Sequence, residues 1–291
     1  MNRQELTKEY VSGLAPERSE AGNKGTFGKV LIVAGSKFMT GAQTLATLSA
    51  LNSGVGLVQV FAPEDSLMPT QINCPCAILS AFDETVTGTL KKASEILNNK
   101  VKAVVIGPGL DTEDKRNLAL LEFMIERAPR LVIDASALTI LARNRLGSLL
   151  AARVENGLAP CVLTPHIGEF KRLGFEGDSE ELELKASQYA KDNKCVLILK
   201  NHKTTVNTPN GECYINVGSN SGMAKGGSGD VLAGLAGGFL ASGFGVDEAC
   251  CASVFAHSLA GKFAADDLGV MAMLPTDVID YLPEAYKELG W

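Results

Sequence analysis

The chain has 291 residues, of which 46% are hydrophobic and 21% charged, with a formal net charge of −6 at pH 7. That apolar share is enough for a large buried core and excludes a disordered chain, so residues 1–291 are expected to form one α/β-sized domain. The charge carries no basic stripe, which excludes a nucleic-acid backbone or an anionic membrane as partner; an anionic ligand has to be met by local donors.

Met1 to Tyr10 is polar and lacks the apolar stretch of a secretory signal. The seven cysteines form no CxxC pair and lie mostly inside apolar runs, so they read as free thiols of a reducing compartment, and a cytoplasmic protein is expected. The first 25 residues, broken by Gly13, Pro16, Gly22 and Gly25, predict a helix and then a loop. Residues 29–35, Lys-Val-Leu-Ile-Val-Ala-Gly, are the nearly continuous apolar run of a parallel strand buried on both faces. Further strands are predicted at 57–62, 103–106, 131–134, 161–163, 195–200 and 204–206, and at 213–217 beyond an Asn210-Gly211 turn. Helical spacing marks 41–53, 112–127, 179–193, 230–241 and 247–265. The alternation predicts a mostly parallel sheet with helices on both faces and ligands beyond the carboxyl ends of its strands.

Those strand ends carry the informative residues: Gly35-Ser36 with Gly41-Ala42, Gly107-Pro108-Gly109, Asp134, Thr164-Pro165-His166, Lys200, and Gly226-Gly227-Ser228-Gly229-Asp230. In the last segment a glycine-rich turn opens into a helix, so successive backbone N–H groups and the helix dipole form an anion hole suited to a transferring phosphate. Asp230 at that helix start is a candidate base for a substrate hydroxyl. The competing reading is that Asp230 only caps the helix, which leaves the flanking glycines unexplained. Alone, Ala42 also reads as helix packing and His166 as a loop residue bonded to backbone. Lys200 reads equally as a snorkelling surface lysine. Asp134 either meets Mg2+ through water or caps the helix from Ser136. His202 and His257 carry no role by themselves.

Lys24-Gly25-Thr26-Phe27-Gly28-Lys29 running into the first strand, Thr40-Gly41-Ala42, Ser53-Gly54-Val55-Gly56, Ile106-Gly107-Pro108-Gly109-Leu110, Thr164-Pro165-His166-Ile167-Gly168-Glu169, Lys200 to Thr204 and the Asp230 cluster occur in one order over nearly the whole chain. In that order the sequence resembles the ADP- or ATP-dependent NAD(P)H-hydrate dehydratases of the ribokinase-like superfamily. The resemblance implies a three-layer ribokinase-like fold and a substrate that is the S-form hydrate of NADH or NADPH. Phosphorylation of the ring hydroxyl by ADP, or by ATP, would be followed by loss of phosphate, releasing AMP and restoring NAD(P)H. It implies that Ala42, Gly109, His166 and Asp230 contact the hydrate. Lys200, Asn201, His202, Lys203, Thr204 and Gly229 would line the nucleotide, with Mg2+ as cofactor and a homotetramer as the assembly. Three residues depart from the family pattern: Ser136 replaces a carboxylate, Asn201 a glycine, and Asp111 a glycine. A small-molecule kinase of the same superfamily and a nucleotide-sensing protein without turnover are the alternative functions.

Overall fold

Short branched apolar runs become strands here because both faces of each are covered. Val30 and Ile32 point into one core with Ala46, Leu235 and Ala252, while the intervening Leu31 and Val33 point into another with Leu120, Leu138 and Leu150. The computed structural model describes residues 2–291. Its strands are β1 (Asn2–Glu5), β2 (Lys29–Val33), β3 (Leu57–Ala62), β4 (Ile78–Ala81), β5 (Ala103–Ile106), β6 (Leu131–Ile133), β7 (Cys161–Leu163), β8 (Val196–Leu199), β9 (Thr204–Asn207) and β10 (Glu212–Asn216). The helices are α1 (Lys8–Ser12), α2 (Thr40–Leu51), α3 (Leu67–Asn73), α4 (Val86–Asn98), α5 (Lys115–Arg127), α6 (Ser136–Arg143), α7 (Gly147–Glu155), α8 (Ile167–Arg172), α9 (Ser179–Asp192), α10 (Ser228–Ser242), α11 (Val246–Leu268), α12 (Pro275–Asp280) and α13 (Leu282–Leu289). Helices α2, α10, α11, α12 and α13 cover one face, and α5, α6, α7 and α9 the other, a three-layer α/β architecture. Among the described residues no helix is long and apolar enough to cross a membrane.

The strands form one sheet in the order β1-β10-β9-β8-β7-β6-β5-β2-β3-β4. From β8 to β4 every pairing is parallel, and β9 and β10 add the antiparallel hairpin expected around Asn210-Gly211. The order reverses between β2 and β5, which opens a crevice at their carboxyl ends. Two strands are additional to the sequence pattern. The N-terminal segment is a strand followed by a five-residue helix, where one helix and a loop were expected. Asn2 to Glu5 has no apolar run and becomes a strand by pairing in parallel with Glu212 to Ile215. Strand β4 is a half-exposed edge paired with β3.

Helices α2 and α10 meet backbone to backbone. A β-carbon on Gly234 would lie 2.1 Å from the Ala46 carbonyl oxygen, and one on Gly238 would lie 1.9 Å from Ser53 Oγ. Ser49 Oγ donates to the Val231 carbonyl at 2.6 Å across the same seam.

Candidate functional site

The carboxyl ends of β6, β7 and β8 hold a charged network. Ala135, at φ 49°, is the N-cap of α6, so Asp134 is not the cap. Its Oδ1 accepts from Thr164 Oγ1 at 2.5 Å and from Lys200 Nζ at 2.8 Å. Lys200 is fixed by its own N–H, which donates to Pro165 O at 2.8 Å, and by a parallel bridge to His166. Its Nζ stands 3.9 Å from Glu169 Oε2, and its side chain is 18% exposed against 1% for Asp134. The snorkelling reading of Lys200 is therefore overturned: three strand ends converge and the ammonium is pulled inward. Burial alone would lower the Lys200 pKa, but the Asp134 and Glu169 carboxylates overcome it and hold the pKa above its usual value.

Next to this network, Gly227 takes φ 105° as the N-cap of α10, with no side-chain cap. A side chain there would be strained, and its β-carbon would strike Leu45 Cδ1 at 2.6 Å. The cap-only reading of Asp230 fails, since Asp230 stands inside the first turn. A β-carbon on Gly229 would lie 3.0 Å from Lys200 Nζ, so the open amides of the helix start and the ammonium face the same point. Asp230 is half-buried there. Burial, reinforced by Asp134 and Glu169 and only partly offset by Lys200, pushes its pKa up to about 7.

His166 caps α8. Its Nδ1 accepts from Gly168 N at 2.9 Å and Glu169 N at 3.3 Å, while Glu169 Oε2 accepts from His166 N at 2.9 Å. With Nδ1 accepting, the ring proton of the neutral form sits on Nε2. His166 thus is bonded to backbone and also lines the cleft. Asp134, His166, Lys200, Asn201, His202, Thr204, Gly229 and Asp230 surround one cleft of about 430 Å3. A second hollow of about 670 Å3 shares Asn216, Gly218, Ser219, Asn220 and Ser258 with it, making one continuous groove.

Ala42 and Gly109 are not on that lining. They face each other at the β2/β5 crevice, where a β-carbon on Gly109 would lie 3.1 Å from Ala42 Cβ and 2.6 Å from the Met39 carbonyl oxygen. Gly109 is left-handed at φ 66°, and Gly35 N donates to Pro108 O at 2.7 Å, tying the two strand-end loops. The same loop reaches the charged network, since a β-carbon on Gly107 would lie 1.8 Å from the Asp134 carbonyl oxygen. Lys203 is exposed and off the lining. Lining residues without a sequence assignment include Asn216, Lys225 and His257. Lys225 Nζ donates to Met271 O at 2.8 Å and Met273 O at 2.5 Å, tethering the glycine turn to the segment after α11. Its position inside the glycine motif was the available signal; an isolated histidine in an apolar helix gave none.

The strand order and the glycine-turned helix at the carboxyl edge define a ribokinase-like α/β protein. A family described as NAD(P)H-hydrate dehydratase matches residues 30–284, and the chain belongs to that family. The bifunctional NAD(P)H-hydrate repair enzyme of Moorella thermoacetica is 35% identical over 99% of this chain and 54% of its own length. This chain thus spans about half the length of such bifunctional relatives. The ADP-dependent (S)-NAD(P)H-hydrate dehydratase of Lactococcus lactis is 32% identical over 98% of both chains. A crystal structure of the ADP/ATP-dependent NAD(P)H-hydrate dehydratase of Bacillus subtilis, co-crystallised with ATP and Mg2+, matches with a TM-score of 0.82 at 29% identity over 99% of each chain.

Proposed function

We propose that the protein is an ADP-dependent (S)-NAD(P)H-hydrate dehydratase that restores NADH and NADPH from their hydrates with release of AMP and phosphate. Relatives of matching length, which are named dehydratases, support this over a small-molecule kinase. The observation that carries it is the Asp230 carboxylate, which accepts no hydrogen bond from the described residues, has a pKa of about 7, and stands beside Lys200 and the open amides of α10. Asp230 takes the proton of the ring hydroxyl as that oxygen attacks the terminal phosphorus of ADP. The phosphorus–oxygen bond to AMP breaks, while Lys200 and the Gly229 N–H meet the charge on the transferring group. The C–O bond to the new phosphate then breaks, the adjacent ring carbon loses a proton, and the double bond returns.

In this reading Ala42, Gly109 and the Nε2–H of His166 contact the hydrate. Lys200 to Thr204 and Gly229 hold the phosphates, and the groove past Asn216 and Asn220 takes the nucleoside. Mg2+ would neutralise charge between the phosphates. No cluster of three acidic, His or Cys side chains suited to a metal occurs among the described residues. Asp134 and Asp230 are the carboxylates of the cleft that would face such a cation. A cytoplasmic homotetramer belongs to the same proposal; unpaired cysteines and the exposed Phe38, Met68 and Ile72 are in keeping with it. The decisive experiment incubates the protein with ADP, Mg2+ and (S)-hydrate. Reduced-nicotinamide absorbance should return with AMP and phosphate in equal amounts. A stable phosphorylated hydrate would make it a kinase, and ADP binding with no consumption would make it a sensor.

A further inference from the structure

We infer that Lys225 is a second phosphate-binding cation of the cleft, meeting the diphosphate of the nucleotide with a charge that no carboxylate of the protein neutralises. Lys225 lines the cleft at the head of the glycine turn, directly before Gly226. Its Nζ is fixed by two neutral acceptors, the Met271 carbonyl oxygen at 2.8 Å and the Met273 carbonyl oxygen at 2.5 Å. Two of its three N–H groups are spent there, and the third is left for a ligand. The acceptors are held in place because the segment that carries them packs on the turn. The Met273 sulfur would lie 2.2 Å from a β-carbon on Gly222, and Pro275 Cγ 3.2 Å from one on Gly227.

The other ammonium of the cleft already has acidic partners. Lys200 Nζ lies 2.8 Å from Asp134 Oδ1 and 3.9 Å from Glu169 Oε2, so much of its charge is met before a ligand arrives. Among the described residues that line the cleft, Lys225 is the lysine without a carboxylate partner. A nucleoside diphosphate brings several negative charges to this place, and Lys225 is the cation left to meet them. A neutral amide could donate to the same two carbonyls; only the ammonium adds a charge that a phosphate can use.

This role rests on the proposed nucleotide site, and its test is read on binding, apart from turnover. Lys225→Gln keeps N–H donors for the two carbonyls and removes the charge, whereas Lys225→Arg keeps both. Calorimetry at fixed Mg2+ should show ADP affinity falling about tenfold in the glutamine variant, with adenosine affinity and melting temperature close to those of the parent. Arginine should hold ADP affinity within a few-fold of the parent. Added KCl should weaken ADP binding more steeply in the parent than in the glutamine variant. Parental ADP affinity in Lys225→Gln would overturn the inference, as would equal losses for adenosine and ADP, the mark of a turn that has merely shifted. Should the glutamine variant not fold, the parent is labelled with acetic anhydride and acetylation of Lys225 is followed by mass spectrometry. Saturating ADP should slow that labelling severalfold where saturating adenosine leaves it unchanged; equal rates with the two ligands would overturn the inference. A parent that binds ADP and leaves hydrate untouched would sink the proposed activity while leaving these comparisons valid.

Discussion

In its proposed role as base, Asp230 combines two demands that pull against each other. A base is useful only when ionised, yet this carboxyl sits where burial and two neighbouring carboxylates favour its protonated form. Its folded pKa of about 7 lies above the ordinary 3.8, so the folded protein holds this proton more tightly than the unfolded chain does. The stability it contributes is complete below the ordinary value and is lost as pH rises through about 7. Asp230→Asn should therefore match the parent in melting temperature near pH 4. At pH 8 it should be more stable, by on the order of 1–4 kcal/mol. The same substitution should reduce turnover by about 10²–10⁴ while ADP still binds, because the cradle amides are backbone. The parent kcat/KM should rise with pH toward a plateau above about 7. Thermal melts at two pH values and a pH–rate profile read both halves; a variant that is faster than a hundredth of the parent rate and no more stable at pH 8 would contradict them.

Among the elements, the seam between α2 and α10 matters most, since the first turn of one carries Ala42 and the first turn of the other carries Asp230. Gly234→Val would place a β-carbon 2.1 Å from the Ala46 carbonyl oxygen, forcing the helices apart, and should cost about 1–3 kcal/mol in urea unfolding. It should also weaken hydrate and nucleotide binding together, because it moves both helix starts; a loss of stability with both affinities intact would show that the seam does not position the site. This seam was hidden in the sequence, where Gly234, Gly237 and Gly238 merely lower helix propensity. What the sequence did disclose was local. The run Val30 to Val33 reads as a doubly buried strand, and the glycines before Asp230 as a turn opening into a helix, and both are present. What it withheld depends on distance along the chain. Asp134 and Lys200 stand 66 residues apart, His257 reaches the cleft wall only once α11 packs on α10, and Asn2 to Glu5 is a strand only because Glu212 to Ile215 lies beside it.

At the scale of the whole molecule, that last pairing makes the chain's beginning depend on a late segment. Deleting residues 2–5 would leave β10 as an open edge, with Cys213 and Ile215 backbone groups unpaired. Such a protein should melt several degrees lower, aggregate sooner and bind ADP more weakly, because Glu5 lines the groove proposed for the nucleoside and the unpaired β10 carries Asn216. Parental ADP affinity in the truncated protein would show that the nucleoside does not occupy that groove. The pairing also sets an order of events during synthesis. Residue 212 leaves the ribosome 210 residues after residue 2 (212 − 2), which at about 5–20 residues per second is a wait of roughly 10–40 s. Throughout that interval the parallel strands from β2 to β8 can assemble while β1 has no edge to join, so β1, translated before all of them, is among the last of the ten to find its place.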